Sequence, residues 1–376
     1  MLRCGSQPAA YGFPHRDLGK GSLARGPMLI WVAQRRQGRV GCCTEWADSV
    51  GRRLSVAGGW VGDVELVKPR AVKPGDCVGI VSTSSPVSPE ELDRLAGYLE
   101  DCGYRVRLAE GVGDRAGHLA GTAARRAAGV MSMFADPDVA LVLPATGGTG
   151  ASHVVDLLDY GLIRANPKVF TGFSDPSSLC NAILAGAGLP NVHGVTGIQF
   201  FEPALKDEWT EAEFWAMVSG PIAGRELAGG DWHAYRATAP VVSGPVVGGT
   251  LPSFRALVGT RWMPSTTAAI LVIEAFLDTF DDVDRALTHL KLAGVFDGIA
   301  ALVIGAPANW EREDAPDAGT DELILRCVPD QGFPVITNVG LGHAARKIQL
   351  PLGCRVEFDL SGGRQVLRYL EDLVAV

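Results

Sequence analysis

The residues whose types are best suited to catalysis lie where a buried strand is predicted to end. The apolar run 168–171 is followed by Gly172-Phe173-Ser174-Asp175. A glycine just before a strand-to-helix turn lets the backbone bend sharply and lifts the following serine out of the sheet. Ser174 could then attack a carbonyl group, and the backbone N–H of Asp175 would face the oxyanion. A serine at a strand end is more often a helix N-cap than a nucleophile, so both interpretations stay open here.

A second candidate is the glycine-rich turn Gly147-Gly148-Thr149-Gly150, which follows the predicted strand 139–143. Gly148-x-Gly150 partly matches a dinucleotide-binding fingerprint, with Asp175 where a ribose-binding acid would stand, although His153 occupies the third glycine position. The N–H groups of the turn could instead bind an anion such as an oxyanion or a carboxylate. The third interpretation is a tight turn without a ligand.

A nucleophilic serine needs a base and a carboxylate to orient that base. Of the seven histidines, His343 lies in a glycine-rich turn directly after a predicted strand, where loop residues often carry function. His193 follows another predicted strand and fits a packed core position. Glu274 ends a strongly apolar run, where a carboxylate is poorly solvated and needs a partner. A buried ion pair with Arg285 would also supply that partner.

The elements that must position these residues fall into two groups. In the first, continuously apolar strands alternate with helices, which is typical of a parallel sheet covered on both faces. We therefore predict an α/β, flavodoxin- or Rossmann-like domain over residues 71–225 that carries Ser174. Its predicted strands are 77–81, 104–108, 139–143 and 168–171, and its helices begin after Ser88 and span about 122–134, 152–158 and 176–187.

The second group predicts a smaller, strand-rich mixed α/β domain over residues 240–376 that carries Glu274 and His343. A capped helix is expected to start at Thr210-Glu211-Ala212-Glu213, and residues 220–240 are rich in Gly, Ala and Asp like a linker. One long helix is predicted over about 280–292. The predicted strands are 241–247, 269–273, 299–304, 334–338 and 355–358.

Composition limits the possible partners and cofactors. The 376 residues are 47% apolar and carry a net charge of −8, which argues against nucleic acid or an anionic membrane as the main partner. No apolar run is long enough for a membrane span and no secretory signal is recognisable, so we expect a cytoplasmic protein. The eight cysteines form no C-x-x-C pair, and no Cys/His spacing suits zinc. We therefore expect no metal and no cofactor.

The first seventy residues differ in charge from the rest of the chain. They hold 11 Lys or Arg against 5 Asp or Glu, whereas the remaining 306 hold 23 against 37. They are also rich in Gly, Arg, Ser and Gln without periodicity. We predict a disordered extension over residues 1–70, either a flexible tail or upstream sequence read from a wrongly assigned start, and we favour the wrong start.

Taken together, the segments of residues 66–370 resemble the LD-carboxypeptidase family of serine peptidases. The motifs that carry the resemblance occur in the family's order: Lys73-Pro74-Gly75-Asp76, Phe134-Ala135-Asp136-Pro137, Gly147-Gly148-Thr149-Gly150, Leu158-Asp159-Tyr160, Asn166-Pro167-Lys168-Val169-Phe170, Gly172-Phe173-Ser174-Asp175, His193-Gly194, Gly248-Gly249-Thr250-Leu251, Glu274, Asp284-Arg285, Gly294-Val295-Phe296-Asp297-Gly298, Gly342-His343 and Leu350-Pro351-Leu352-Gly353.

The resemblance implies a role for each candidate residue. Ser174 would be the nucleophile, His343 the general base and Glu274 the residue that orients His343. The backbone N–H groups of Asp175 and Gly148 would form the oxyanion hole. The family's flavodoxin-like amino-terminal domain and strand-rich carboxy-terminal domain would meet at a cleft that contains the site, usually in a homodimer.

The implied activity is hydrolysis of the amide between the L-centre of meso-diaminopimelate and the terminal D-Ala of a muropeptide. This chain departs from the family's usual pattern at Thr146 and Thr149, where an Arg and an aromatic residue are common, at Val195 in place of Pro, and at Thr250 in place of Asn. These positions surround the cleft, so the substrate is less determined than the reaction.

Three alternatives to this activity stay open. A microcin-immunity-type hydrolase would cleave peptidyl or aminoacyl nucleotides with the same three residues, and would need an aromatic platform for the base. Trp209, Trp215, Trp232 and Trp262 are expected near the cleft. A non-catalytic ligand-binding module would keep the fold without the chemistry. A nicotinamide-dependent oxidoreductase would use the glycine-rich turn.

Overall fold

The computed structural model describes residues 65–376 except 238, 277–278, 307–318, 362–364 and 376. Most of the predicted extension, residues 1–64, therefore lies outside the described residues. Residues 65–70 are docked on the fold: the N–H of Val67 donates to the carbonyl of Gly188 at 2.9 Å, and Arg70 forms a β-bridge with Ala375. The folded domain thus includes residues before the predicted boundary at residue 71.

The first half of the described chain alternates strands with helices, as its apolar pattern predicts. Its strands are β1 (Cys77–Val81), β2 (Arg105–Leu108), β3 (Val139–Pro144), β4 (Val169–Gly172) and β5 (Asn191–His193). Its helices are α1 (Pro89–Asp101), α2 (Ala123–Ala135), α3 (Tyr160–Ala165) and α4 (Ser177–Ala187). The strands are parallel in the order β2-β1-β3-β4-β5, which is the flavodoxin-like order. The flavodoxin-like prediction is confirmed.

The start of α1 illustrates how local sequence sets these elements. Ser88 accepts a hydrogen bond from the N–H of Glu91 at 3.2 Å, and the Glu91 carboxylate accepts one from the N–H of Ser88 at 2.7 Å. This capping box satisfies two N–H groups that a helix start leaves without partners. Leu92, Leu95 and Leu99 then follow on one face and are buried against the sheet.

The second half is mixed and strand-rich, also as predicted. Its strands are β6 (Glu226–Ala228), β7 (His233–Tyr235), β8 (Val241–Thr250), β9 (Ile270–Glu274), β10 (Ala301–Gly305), β11 (Val335–Val339), β12 (Leu350–Leu352), β13 (Arg355–Asp359) and β14 (Val366–Tyr369). Its helices are α5 (Ile198–Phe201), α6 (Glu208–Ser219), α7 (Leu251–Arg255), α8 (Phe280–Leu292) and α9 (Thr320–Cys327).

The two halves share one sheet, which sequence analysis does not predict. Strand β5 pairs antiparallel with β12, and β12 lies beside β8, the first of four parallel strands β8-β9-β10-β11. Among the described residues, fourteen strands are joined in this way. All the described residues belong to one compact unit.

Three local expectations are wrong. The expected linker 220–240 contains β6 and β7, which pair with β14 and β11. Helix α6 begins earlier than Thr210, because the Asp207 carboxylate is the cap and accepts from the Thr210 N–H at 2.8 Å. The predicted helix 152–158 is instead two short 3₁₀ turns, Ala151–His153 and Val155–Leu157. Within the described part of the chain, every helix is too short or too polar to cross a membrane.

Candidate active site

Ser174 lies in the turn between β4 and α4 with a backbone φ of 59°, in the left-handed region that favours glycine. Such strain in a non-glycine residue is concentrated at functional sites. The turn also needs Gly172, since a Cβ there would lie 2.8 Å from the Cβ of Pro176. The Ser174 side chain does not cap α4, whose N-cap residue is Pro176. The N-cap interpretation of Ser174 is therefore wrong, and the turn has the geometry of a nucleophile elbow.

The glycine-rich turn packs closely against Ser174. A Cβ on Gly147 would lie 3.0 Å from the Ser174 Cβ and 3.2 Å from its Oγ. The N–H of Ser85 donates to the Gly147 carbonyl at 3.2 Å, so the N–H of Gly148, on the other side of the same trans peptide, faces away from Ser85. Gly148 has φ 114°, and a Cβ there would lie 1.9 Å from the Ser85 Oγ. Only glycine fits this position.

The Asp175 side chain holds this turn in place. Its carboxylate accepts a hydrogen bond from the N–H of Ala151 at 2.6 Å. Burial raises the pKa of Asp175, although hydrogen bonds from Ser84 and Ala151 oppose that rise. Arg126 clamps the same turn by donating to the carbonyl of Gly150 at 2.7 Å. Because the carboxylate is occupied and the turn leads into 3₁₀ structure instead of an α-helix, the dinucleotide interpretation is wrong.

Glu274 and His343 form a buried pair. The Nδ1 atom of His343 lies 2.9 Å from Oε2 of Glu274, whose side chain is 2% exposed. The hydroxyl of Thr250 donates to the other carboxylate oxygen. Burial acts to raise the pKa of Glu274, but the hydrogen bond and charge of His343 outweigh it and lower the pKa below its ordinary value. Arg285 bonds Asp282 on α8 instead, so the predicted Glu274–Arg285 alternative is wrong.

Two aromatic rings orient His343. The Phe276 ring stacks on the imidazole at a centroid distance of 4.2 Å and an interplanar angle of 5°. The ring of Phe173, the residue before Ser174, contacts it at 4.8 Å and 57°. With Nδ1 bonded to Glu274, the remaining ring nitrogen is Nε2, and it is the one available for proton transfer. Ser174 and His343 line the same two cavities, so the structure brings these two predicted residues together.

A hydrogen-bond network connects the helix after Ser174 to Glu274. The Ser177 Oγ on α4 lies 3.3 Å from the Thr250 Oγ1, and Thr250 bonds Glu274. Asn181 donates to the carbonyl of Gly248 at 2.7 Å and accepts from its N–H at 3.0 Å. The first and second halves of the chain are thereby fixed to each other beside the site.

Two cavities adjoin Ser174. Cavity A, of about 330 Å³, is lined by Ser85, Thr146, Gly147, Gly148, Phe173, Ser174, Thr196, Ile198, Gln199, Leu205, Phe276, His343 and Lys347. Cavity B, of about 530 Å³, is lined by Gly148, Thr149, Ser152, Ser174, Asp175, Thr250, Pro252, Ser253, Ala256, Phe276 and His343. Ser174 and His343 stand at the junction, so one substrate could extend into both cavities.

The four tryptophans expected near the cleft lie elsewhere. Trp209 and Trp232 line a separate cavity, Trp215 stacks on Tyr104 and Trp262 stacks on Tyr160. Among the described residues, the aromatic side chains that line cavities A and B are Phe173 and Phe276, both in contact with His343. The expected aromatic platform is therefore not formed by these tryptophans.

His193 is a packed core residue, as its position after a predicted strand suggests. It is 1% exposed, and neither ring nitrogen has a hydrogen-bond partner among the described residues. Burial lowers the pKa of His193 to about 4, although the charge of Glu274 acts in the opposite direction. The His193 ring is therefore neutral at neutral pH and adds no positive charge beside the Glu274–His343 pair.

This burial predicts a pH dependence of stability. Between pH 6.5 and about 4 the unfolded chain protonates His193 and the folded chain does not, so the free energy of unfolding should fall as pH falls through this window. The full loss is about 3 kcal/mol at about 1.4 kcal/mol per pKa unit. Urea unfolding of the parent and of His193→Asn between pH 6.5 and 5 measures about half of this loss. This range lies above the one in which the lowered pKa of Glu274 falls. We expect the free energy of unfolding to depend less on pH in His193→Asn than in the parent. The surface control His289→Asn should behave like the parent. The same pH dependence in His193→Asn and the parent would contradict the prediction.

Sequence analysis missed several residues that shape the site. Thr250 and Ser177 orient Glu274, Arg126 holds the glycine-rich turn, and Lys347 lines cavity A. Arg126 had a visible signal, because its position in α2 falls on the same face as the apolar residues Val130 and Phe134. The described residues contain no group of three or more His, Cys, Asp or Glu side chains that could hold a metal ion.

Comparisons with known proteins place this arrangement in a family. Residues 78–194 match the LD-carboxypeptidase N-terminal domain and residues 243–358 match the LD-carboxypeptidase C-terminal domain. A putative carboxypeptidase of Streptomyces coelicolor is 33% identical over 310 residues, covering 81% of this chain and 96% of that protein. A probable murein peptide carboxypeptidase of Bacillus subtilis is 29% identical over 307 residues, covering 78% and 91%.

A comparison with solved structures finds a protein of similar fold. The structure of the microcin C7 self-immunity protein, known from Escherichia coli, superposes with a TM-score of 0.74 at 23% identity, covering 82% of this chain and 99% of that one. At this identity the likeness concerns the fold. The domain matches and the curated relatives go further: the chain belongs to the LD-carboxypeptidase family of serine peptidases and is a carboxypeptidase-type hydrolase.

Proposed function

We propose that the protein is an LD-carboxypeptidase that removes the terminal D-Ala from muropeptides in the cytoplasm, by cleaving its amide bond to the L-centre of meso-diaminopimelate. Ser174 is the nucleophile, His343 the general base and Glu274 the residue that orients His343. The observation that carries the proposal is the buried hydrogen bond of 2.9 Å between Glu274 and His343. His343 lines both cavities together with Ser174.

The acylation step follows from these positions. The Ser174 Oγ attacks the carbonyl carbon while Nε2 of His343 takes the hydroxyl proton, and the imidazolium is stabilised by the Glu274 carboxylate. The carbonyl oxygen becomes an oxyanion. When the C–N bond breaks, His343 returns the proton to the leaving nitrogen, and D-Ala departs as a free amino acid. The remaining acyl group is esterified to Ser174.

Deacylation uses the same groups in the same order. A water molecule gives a proton to Nε2 of His343 and its oxygen attacks the ester carbonyl. The bond from the carbonyl carbon to Oγ then breaks, and the proton on His343 goes to Ser174. The product is the shortened muropeptide with a free carboxylate, and the enzyme is restored. No oxidant, reductant or cofactor is required.

The backbone N–H groups of Asp175 and Gly148 are proposed to form the oxyanion hole. Among the described residues neither group donates a hydrogen bond to a protein acceptor, and both residues stand directly beside Ser174. The N–H of Gly148 faces away from Ser85, because the carbonyl of the same peptide, that of Gly147, accepts from the Ser85 N–H. Removing one such donor in a serine peptidase costs about 10²- to 10³-fold in turnover.

The proposal also covers the domain organisation, the oligomeric state and the partners of the protein. Residues 71–225 would form the domain that carries Ser174, and residues 240–376 the domain that carries Glu274 and His343. The two family matches, 78–194 and 243–358, support this division. We further propose a homodimer that acts on small peptide substrates without nucleic acid or membrane as a partner.

The test is a product analysis with two substrates. The protein is incubated with a diaminopimelate-containing tetrapeptide muropeptide and, separately, with aspartyl sulfamoyl adenosine, the ligand in one solved complex of the microcin C7 self-immunity protein. Mass spectrometry should detect loss of one D-Ala from the first and no cleavage of the second. Cleavage of the adenosine derivative alone would replace the muropeptide proposal with the immunity-type alternative. Cleavage of neither, without labelling of Ser174 by a fluorophosphonate, would favour a non-catalytic module.

A further inference from the structure

Two lysine side chains are buried among the described residues, and they differ in how their ammonium groups are satisfied. Lys168 is 7% exposed, and its Nζ donates to the carbonyls of Asp136 and Val139 at 2.6 and 2.7 Å. Lys347 is 3% exposed, and among the described residues its Nζ has no hydrogen-bond or ion-pair partner. Because Lys347 lines cavity A and no described side chain neutralises its ammonium by direct contact, the ammonium is available to a partner that enters this cavity.

The surroundings of Lys347 favour an anion as that partner. Its Nζ lies 5.7 Å from the centroid of the Phe173 ring, which also contacts His343. The backbone N–H of Lys347 donates to the Thr210 hydroxyl at 2.9 Å, which holds the backbone of Lys347 in place. The carboxylates of Asp207 and Glu274 attract the ammonium only from a distance. Asp207 is hydrogen-bonded to Thr210 instead. Glu274 is hydrogen-bonded to His343 and Thr250. The charge of Lys347 is thus held in place and not neutralised by direct contact.

Lys347 also distinguishes cavity A from cavity B. Among the described residues that line the two cavities, it is the one lysine or arginine, and it belongs to cavity A. Cavity A is the smaller, at about 330 Å³ against about 530 Å³. A carboxypeptidase must seat one small amino acid with a free carboxylate on the leaving side of the scissile bond, and the larger acyl part on the other side.

Size and charge agree on the assignment. Resting on the function proposed above, we infer that Lys347 binds the terminal carboxylate of the leaving D-amino acid in cavity A, and so makes the enzyme an exopeptidase. The acyl part of the muropeptide then occupies cavity B. Lys347 is a specificity residue in this scheme. Its ammonium forms a charge-assisted hydrogen bond to the carboxylate and takes no part in the proton transfers at Ser174.

The experiment compares a substrate that has the terminal carboxylate with one that lacks its charge. Tetrapeptide muropeptide and its C-terminal carboxamide are assayed with the parent, Lys347→Met, Lys347→Arg and the surface control Lys291→Met. We expect the parent and Lys291→Met to prefer the acid over the amide by about 10- to 100-fold in kcat/KM. Lys347→Met should lose this preference, mainly through a higher KM for the acid, with the amide rate unchanged. Lys347→Arg should retain part of it.

The outcomes separate this inference from the proposed function. If the parent releases D-Ala from the acid but Lys347→Met keeps the same acid-to-amide ratio, the assignment of Lys347 is overturned and the LD-carboxypeptidase proposal stands. If the parent cleaves neither substrate, the proposed function fails and the assignment of Lys347 fails with it. The unchanged amide rate shows that Lys347→Met is folded, and a thermal melt supports that reading independently.

Discussion

Replacing Ser174 with alanine is expected to lower turnover of the muropeptide by about a millionfold, because loss of the nucleophile disables the whole serine–histidine–acid unit. The measurement is release of D-Ala in the linear phase, at enzyme concentrations high enough to detect the residual rate. The fold should be retained, since Ser174 Oγ caps no helix and the side chain loses one oxygen atom. A thermal melt close to that of the parent checks this.

Labelling with a fluorophosphonate probe gives an independent readout of Ser174. The parent and Ser132→Ala should be labelled, because Ser132 lies on α2 away from both cavities. Ser174→Ala should not be labelled. Near-normal hydrolysis by Ser174→Ala would refute the assignment of the nucleophile, and labelling that persists in this variant would transfer it to another serine.

The second large effect is expected for Glu274→Gln, which should lower kcat by roughly 10⁴-fold, the cost of the same acid-to-amide change in serine peptidases. Glutamine fills the same buried volume, but its amide can donate to Nδ1 of His343 and thereby favour the wrong tautomer. It also removes the charge that stabilises the imidazolium. Steady-state kinetics with the muropeptide measures the effect, with KM expected to change little.

The matched control is Glu213→Gln, since Glu213 is another buried glutamate, 5% exposed, that pairs with Arg225 outside cavities A and B. It should affect stability more than turnover. The double variant Ser174→Ala/Glu274→Gln should be no slower than Ser174→Ala, because the two residues act as one unit. A Glu274→Gln variant within tenfold of the parent, or a further loss in the double variant, would refute the role of Glu274.

Most of the helices and strands could be predicted from sequence because their signals are local. Strand β1 and helix α8 have the predicted bounds, Cys77–Val81 and Phe280–Leu292. The capping box of α1 is read directly from Ser88 and Glu91. The residues of the proposed triad could be selected only with the help of the family resemblance, because spacing alone left Ser174 as a possible N-cap and Glu274 as a possible partner of Arg285.

What could not be predicted depends on contacts between distant parts of the chain. Thr250 reaches Glu274 because β8 and β9 are in register at this pair. Lys347 lies in the irregular segment between β11 and β12, and nothing in its sequence neighbours signals that its side chain is buried beside Phe173. Strand β12 has three residues, too few for a periodic pattern, and the sheet is continuous only because β12 pairs with β5.

The position of β12 in the sheet has a consequence for the order of folding. Its residues Leu350–Leu352 come near the end of the chain, yet they fill the gap between β5 and β8. Closing a loop of this length is slow, and contacts so far apart in sequence form late. During synthesis, the flavodoxin-like half can therefore fold first, and the strands around Glu274 join it only after β12 has been made. We therefore expect the contact between Ser174 and the Glu274–His343 pair to form late in folding.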